Sequence, residues 1–236
     1  MVILMKEIDK KLKLIFRGII VFLIFWYSSY FQLIPVRLLH LDTKHLSSTT
    51  RVVLSSFSSL ILLVILLIIY RKELKEEFKI FKKNINENLD VGVKCWMIGL
   101  GIMMISNFLL NFVIKAGGAN NEQAVQNMIK AVPWLMLIDA GFIAPINEEI
   151  VFRKTVNDVF KNKWIVILLS FILFGGAHVV SGATVWTDYL YIIPYGALGA
   201  SFAMCYYKTK TVFTSISMHM LHNTILIVLS IFMAFM

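Results

Sequence analysis

Two adjacent glutamates, Glu148 and Glu149, end an apolar run that starts near Ala131, and Arg153 follows one turn later. Carboxylates beside a hydrocarbon layer are expensive and mark a functional site by default. Later apolar runs carry His178, and then His219, His222 and Asn223. Carboxylates, imidazoles and an amide together are the parts of a hydrolytic site. A carboxylate can take a proton from water. An imidazole and an amide can donate hydrogen bonds to a developing oxyanion. The same histidines with Glu148 could instead hold Zn²⁺ at an open water position. The HExxH spacing of soluble metalloproteases is absent, so zinc is an open option and no cofactor is compelled.

Helical spacing separates the roles. Glu149 and Arg153 stand four apart on one face and can form an ion pair that shields the guanidinium from lipid. Glu148 lies about 100° around the helix from Glu149, which leaves Glu148 free as a base and Glu149 as a supporting group. The bland alternative is a helix end with both carboxylates solvated. His178 follows Phe174-Gly175-Gly176-Ala177, where small residues let neighbouring backbones approach. His219 and Asn223 share a helix face at i and i+4. His222 either flanks the same site or faces another helix. At ~1.5 Å per residue His178 sits roughly 21 Å into its run, deep enough to meet the glutamates.

The elements that must position these groups are membrane helices. The chain has 236 residues, 58% of them hydrophobic and only 16% charged, with mean hydropathy +0.77. Seven apolar runs recur, roughly Leu14–Phe31, Val52–Tyr70, Cys95–Ile114, Ala131–Val151, Trp164–Val180, Tyr189–Tyr207 and Thr211–Met236. The expectation is a single all-α polytopic membrane domain over residues 1–236, with about seven to eight transmembrane helices. The basic N-terminus with its long apolar stretch reads as a retained first helix. Eighteen of the 23 basic residues fall on alternate connections, which places the N-terminus inside. The net charge of +9 thus flanks membrane spans and gives no reason to expect nucleic acid. Two cysteines, Cys95 and Cys205, read as packing residues rather than a disulfide framework. Residues 71–90 place Leu74, Phe78, Phe81, Ile85 and Leu89 on one face, with lysines and glutamates on the other. That is an amphipathic helix, either on anionic lipid or in a solvated hairpin. The stretch from Gly117 to Lys130 reads as a turn followed by an interfacial helix.

Taken in order, Glu148-Glu149-x-x-x-Arg153, Phe174-x-x-x-His178 and His219-x-x-x-Asn223 resemble the three motifs of the CPBP family, the CAAX proteases and bacteriocin-processing (Abi) enzymes. Asn121-Glu122-Gln123 and Pro145 also look like bacterial members. The resemblance covers the chain from about Asn120 onward, with the motifs within 145–223. It implies a helical membrane fold in the cell membrane and hydrolysis of a peptide bond in a membrane-associated peptide or protein. It further implies that Glu148 and His178 activate water and that His219 and Asn223 stabilise the oxyanion. Both a metalloprotease and a metal-free, glutamate-dependent mechanism are argued for the family. Maturation of a bacteriocin or pheromone peptide is one role that follows by analogy. Lys154 departs from the family pattern, where a small residue is common, and is expected at the membrane face. Two other classes compete: a non-enzymatic immunity factor or scaffold of the same fold, and a proton-coupled transporter, which would call for an internal repeat that the sequence lacks.

Overall fold

The computed structural model describes residues 2–114 and 120–235, and no strand occurs among them. The protein is an all-α membrane protein. Helix α1 (Val2–Trp26) leads through a 3₁₀ turn, Ser28–Gln32, into the short α2 (Leu33–Leu38). Next come α3 (Ser48–Ile69), α4 (Arg71–Lys83), α5 (Ile85–Ile114) and α6 (Asn120–Ala131). A near-continuous rod follows: α7 (Pro133–Ile138), α8 (Ala144–Glu149) and α9 (Val156–Val159). Two π-helical segments, Asp139–Ile143 and Ile150–Thr155, join its pieces. Helices α10 (Lys163–Val179), α11 (Ile192–Thr209) and α12 (Val212–Phe235) complete the bundle.

Local chemistry sets the boundaries. Ser47 caps α3 by accepting the Thr50 N–H at 3.1 Å. Asn162 caps α10 by accepting the N–H groups of Trp164 and Ile165 at 2.9 and 3.2 Å. Each cap satisfies donors that the first helical turn leaves free. Pro133 starts α7, where its missing N–H costs nothing. Lys210, with φ 57°, ends α11 in the left-handed conformation, so α12 can double back at once.

Among the described residues, the helices long and apolar enough to cross a membrane are Ser48–Ile69, Ile85–Phe112 and Val212–Met233, with a fourth if the pair Met5–Trp26 and Ser28–Leu38, bent by 52°, is one span. The expected count of seven to eight spans is therefore not confirmed. The first expected run breaks near Tyr27. The fourth is divided by the two π segments. α10 is apolar but has only 17 residues. The amphipathic stretch 71–90 is likewise two helices. It breaks at Asn84 (φ −126°, ψ 41°), and the Asn88 amide donates to the Phe81 carbonyl at 3.3 Å, capping the end of α4. Ile85 and Leu89 belong to α5, which starts ten residues before the expected Cys95. Glu73 and Glu77 of α4 do not share the lysine face; both turn inward to ion pairs. The expected Gly117-Gly118 turn lies outside the described residues. Cys95 and Cys205 are free and buried.

Close helix contacts rest on glycine. A Cβ on Gly175 of α10 would lie 2.6 Å from the Ile192 carbonyl oxygen, and one on Gly199 of α11 would lie 2.7 Å from that of Ser170. Only glycine allows these backbones to meet. The core between α1, α3 and the rod gathers Val21, Leu66, Tyr70, Ile150, Phe152 and Phe174.

Candidate active site

The site is assembled from three elements, the rod, α10 and α12. Glu148 Oε2 lies 3.6 Å from His219 Nε2 and 4.0 Å from His178 Nε2. The same carboxylate oxygen accepts no hydrogen bond among the described residues. Exposure divides the two glutamates. The side chains of Glu148 and His178 keep 18% and 20% of their surface, whereas Glu149 and Arg153 are fully enclosed at 0%. The alternative of two solvated carboxylates at a helix end is therefore excluded.

Each imidazole is anchored by the nitrogen facing away from Glu148. His219 Nδ1 donates to Glu149 Oε1 at 2.9 Å. His178 Nδ1 donates to the Phe174 carbonyl at 2.9 Å. A carboxylate and a carbonyl can only accept, so both Nδ1 atoms carry the proton, and each neutral ring points an Nε2 lone pair toward Glu148. Three acceptors then face one small volume. A water molecule, with two protons to give, is the simplest ligand that suits them.

The rings are also held by packing. The His178 ring lies between Phe174, at 4.4 Å between centroids, and Tyr195, stacked at 4.8 Å. The His219 ring stacks on Phe202 at 5.2 Å and meets Phe174 edge-on at 5.6 Å. Phe174 thus touches both histidines. It also faces the Arg153 guanidinium, whose centre lies 4.3 Å from the ring. Arg153 Nε is 3.2 Å from Glu149 Oε2, as the i, i+4 spacing predicts. Glu149 is therefore shared between a cation behind it and His219 in front of it, while Glu148 keeps its oxygen free.

Asn223 is placed differently. Its Nδ2 donates to the Ala140 carbonyl at 2.8 Å, in the first π segment. The Ala144 N–H in that segment bonds to the Asp139 carbonyl five residues back. The next partner in the same register, for Ala140, would be the N–H of residue 145. Pro145 has none, and the amide of Asn223 takes the open carbonyl. π segments occur often at functional sites, and here a pair of them brackets Glu148-Glu149. The rod is tied to α3 by Ser56 donating to Asp139 Oδ2 and by Asn147 Nδ2 donating to the Ser59 carbonyl, both at 2.9 Å.

One open alternative is decided and one expectation changes. His222 turns to α5, where it accepts from Trp96 Nε1 at 3.3 Å, and does not join Glu148. Lys154 is not at the membrane face. It is buried, with Nζ 2.6 Å from Asp158 and 3.3 Å from Glu77. Spacing alone missed Tyr195 and Phe202. Neither lies near a polar motif, and only the α10–α11 contact brings Tyr195 to His178.

The zinc option can be set against the same atoms. Glu148, His178 and His219 approach one another, yet no group of three or more His, Cys, Asp or Glu among the described residues is spaced to hold a metal ion. No step below uses a metal ion.

Comparison with known proteins follows the same residues. Residues 130–225 match the family described as Type II CAAX prenyl endopeptidase Rce1-like. The Bacillus subtilis (strain 168) protein named "Putative membrane peptidase YdiL" is 32% identical over 116 residues, 48% of this chain and 44% of that one. Two Lactococcus lactis subsp. lactis (strain IL1403) proteins also match. UPF0177 protein YaiH is 28% identical over 49% of this chain and 46% of its own length. UPF0177 protein YbdI is 27% identical over 58% of this chain and 76% of its own. The chain thus spans about half the length of YdiL and YaiH. No solved structure matches it. Residues 130–225 carry Glu148, His178, His219 and Asn223 alike, and over this stretch the chain is similar to the Rce1-like CAAX endopeptidases and to a protein named as a membrane peptidase.

Proposed function

We propose that this chain is an intramembrane endopeptidase that cleaves a peptide bond in a membrane-associated peptide or protein. The observation that carries the reading is the convergence of Glu148 Oε2 with the Nε2 atoms of His178 and His219, with the Glu148 and His178 side chains partly exposed.

In this reading water sits between Glu148 and His178 and donates a hydrogen bond to each. As its oxygen attacks the scissile carbonyl carbon, Glu148 takes the proton as general base. The carbonyl oxygen becomes an oxyanion. His219 takes a proton from the medium onto Nε2 as the substrate carbonyl binds, donates that Nε2–H to the oxyanion and gives the proton back when product leaves, the ring's positive charge resting meanwhile against Glu149. Asn223 has a second amide N–H beyond the one given to Ala140, and that N–H is the second oxyanion donor. Glu148 then returns its proton to the amide nitrogen as the C–N bond breaks, leaving a carboxylic acid and an amine. Enclosure by Phe174, Phe202 and Tyr195 excludes bulk water and strengthens each of these interactions.

Processing of a bacteriocin leader or pheromone peptide is the biological role we favour, on family analogy. The test is a comparison of membrane peptides from cells with the wild-type chain and with Glu148→Gln. An uncleaved species that accumulates only with the variant supports the reading. Identical peptide profiles at equal protein level contradict it.

A further inference from the structure

Helix α4 connects two candidate membrane spans, α3 and α5, so it lies at one boundary of the bilayer. Its residues sort sharply around the axis. At about 100° per residue, the inward side carries Glu73, Leu74, Glu77 and Phe81. Leu74 and Glu77 are buried. Phe81 packs toward Phe213 of α12, at 6.2 Å between ring centroids. All six cations, Arg71, Lys72, Lys75, Lys79, Lys82 and Lys83, are exposed. On the same wheel they occupy one arc of about 120°, opposite the docked side.

The acidic residues do not balance that arc. Glu73 is spent on Arg17 of α1. Glu77 pairs with Lys154 at 3.3 Å and accepts from Tyr206 Oη at 2.9 Å and the Val212 N–H at 2.8 Å. The remaining acid, Glu76, pairs with Lys79 at 2.8 Å, and among the described residues no other cation of the arc is in an ion pair. Exposed apolar residues flank the strip, Phe78 at 49% and Ile80 at 40% exposure. A basic strip edged by apolar side chains, held at a membrane boundary by an internal acid–base lock, is complementary to anionic headgroups above acyl chains.

We propose that the exposed face of α4 is a docking surface for anionic phospholipid in the adjacent leaflet. A solvated basic face would show no preference among lipids.

The test uses the full chain in nanodiscs of phosphatidylcholine alone or mixed with phosphatidylglycerol, and reads thermal unfolding. The proposal expects a midpoint several degrees higher with phosphatidylglycerol, lost at high salt and not reproduced by inorganic phosphate added to phosphatidylcholine discs. Replacing Lys72, Lys75, Lys79 and Lys82 by Gln should abolish most of that rise. Replacing Lys6, Lys10, Lys11 and Lys13 of α1 by Gln should leave most of it. A rise of equal size in the α4 variant and the wild type overturns the proposal, as does a rise produced by phosphate alone. Should the α4 variant fail to fold, native mass spectrometry of the wild-type protein decides. Retention of phosphatidylglycerol over phosphatidylcholine supports the proposal, and equal retention overturns it. No readout requires peptidase activity, so the outcome is independent of the catalytic reading.

Discussion

Glu149 holds His219 by its far nitrogen, with Oε1 2.9 Å from Nδ1, and the same carboxylate holds Arg153 through its other oxygen, 3.2 Å from Nε. One fully buried anion therefore fixes both the ring that faces Glu148 and the cation beneath it. Removing one partner of such a pair strands the other charge, which typically costs about 3–5 kcal/mol. Glu149→Gln and Arg153→Met should each destabilise the protein by roughly that amount. The double variant should lose clearly less than the sum. Thermal unfolding in detergent checks this, and additive losses would show that the two charges are not coupled.

Pro145 should act on Asn223 without touching it. Pro145→Ala restores an N–H that can bond to the Ala140 carbonyl and displace the Asn223 amide. Misplacement of a reacting group by ~1 Å can cost about 10²-fold in rate. We expect turnover to fall by up to that order, with KM nearly unchanged and the unfolding midpoint equal to or above wild type. A lower midpoint with unchanged turnover would mean that the proline only shapes the rod.

Glu77 joins α4 to the start of α12, seven residues before His219. Its carboxylate meets the Val212 N–H, Tyr206 and Lys154. Glu77→Ala leaves a buried lysine short of one partner and a helix N-terminus uncapped, so a loss of about 3–5 kcal/mol is expected. Glu77→Gln keeps an acceptor for Val212 and should lose less. Lys154→Met in the Glu77→Ala background should recover part of the loss. Thermal unfolding of the three variants gives the order, and equal losses from Ala and Gln would contradict it.

Much of the site was legible because it rests on helical periodicity. Glu149 with Arg153, and the separation of Glu148 from Glu149, follow from 3.6 residues per turn, and both survive the change to π geometry just after Glu149. The convergence of His178 and His219 on Glu148 was legible only as a possibility of depth. Periodicity says which face a residue is on, not which helix that face meets. The same limit hid Tyr195, and it left His222 ambiguous until Trp96 appeared opposite it. Lys154 was misplaced for another reason. Its partner Glu77 is 77 residues away on a helix whose hydrophobic pattern put glutamates outside, and a long-range ion pair overrides that local pattern. The π segments left one trace in the sequence, Pro145 inside a helical run. Span number was the least legible feature, because hydropathy does not reveal where a long apolar run bends, as near Tyr27.

The proposed mechanism routes no step through a metal ion, so dialysis against a strong chelator should leave peptide cleavage unchanged. Loss of cleavage that added Zn²⁺ restores would instead make Glu148, His178 and His219 metal ligands.

The central claim is that Glu148 is the base. Glu148→Gln keeps the size and polarity of the side chain but cannot take a proton from water. General acid–base catalysis typically contributes about 10²–10⁴-fold. The decisive measurement is single-turnover cleavage of a membrane-associated peptide by wild type and Glu148→Gln in the same lipid, with peptide binding measured alongside. The account predicts a rate lower by at least about 10²-fold, with binding and the unfolding midpoint close to wild type. Cleavage at the wild-type rate by a folded Glu148→Gln protein would contradict it.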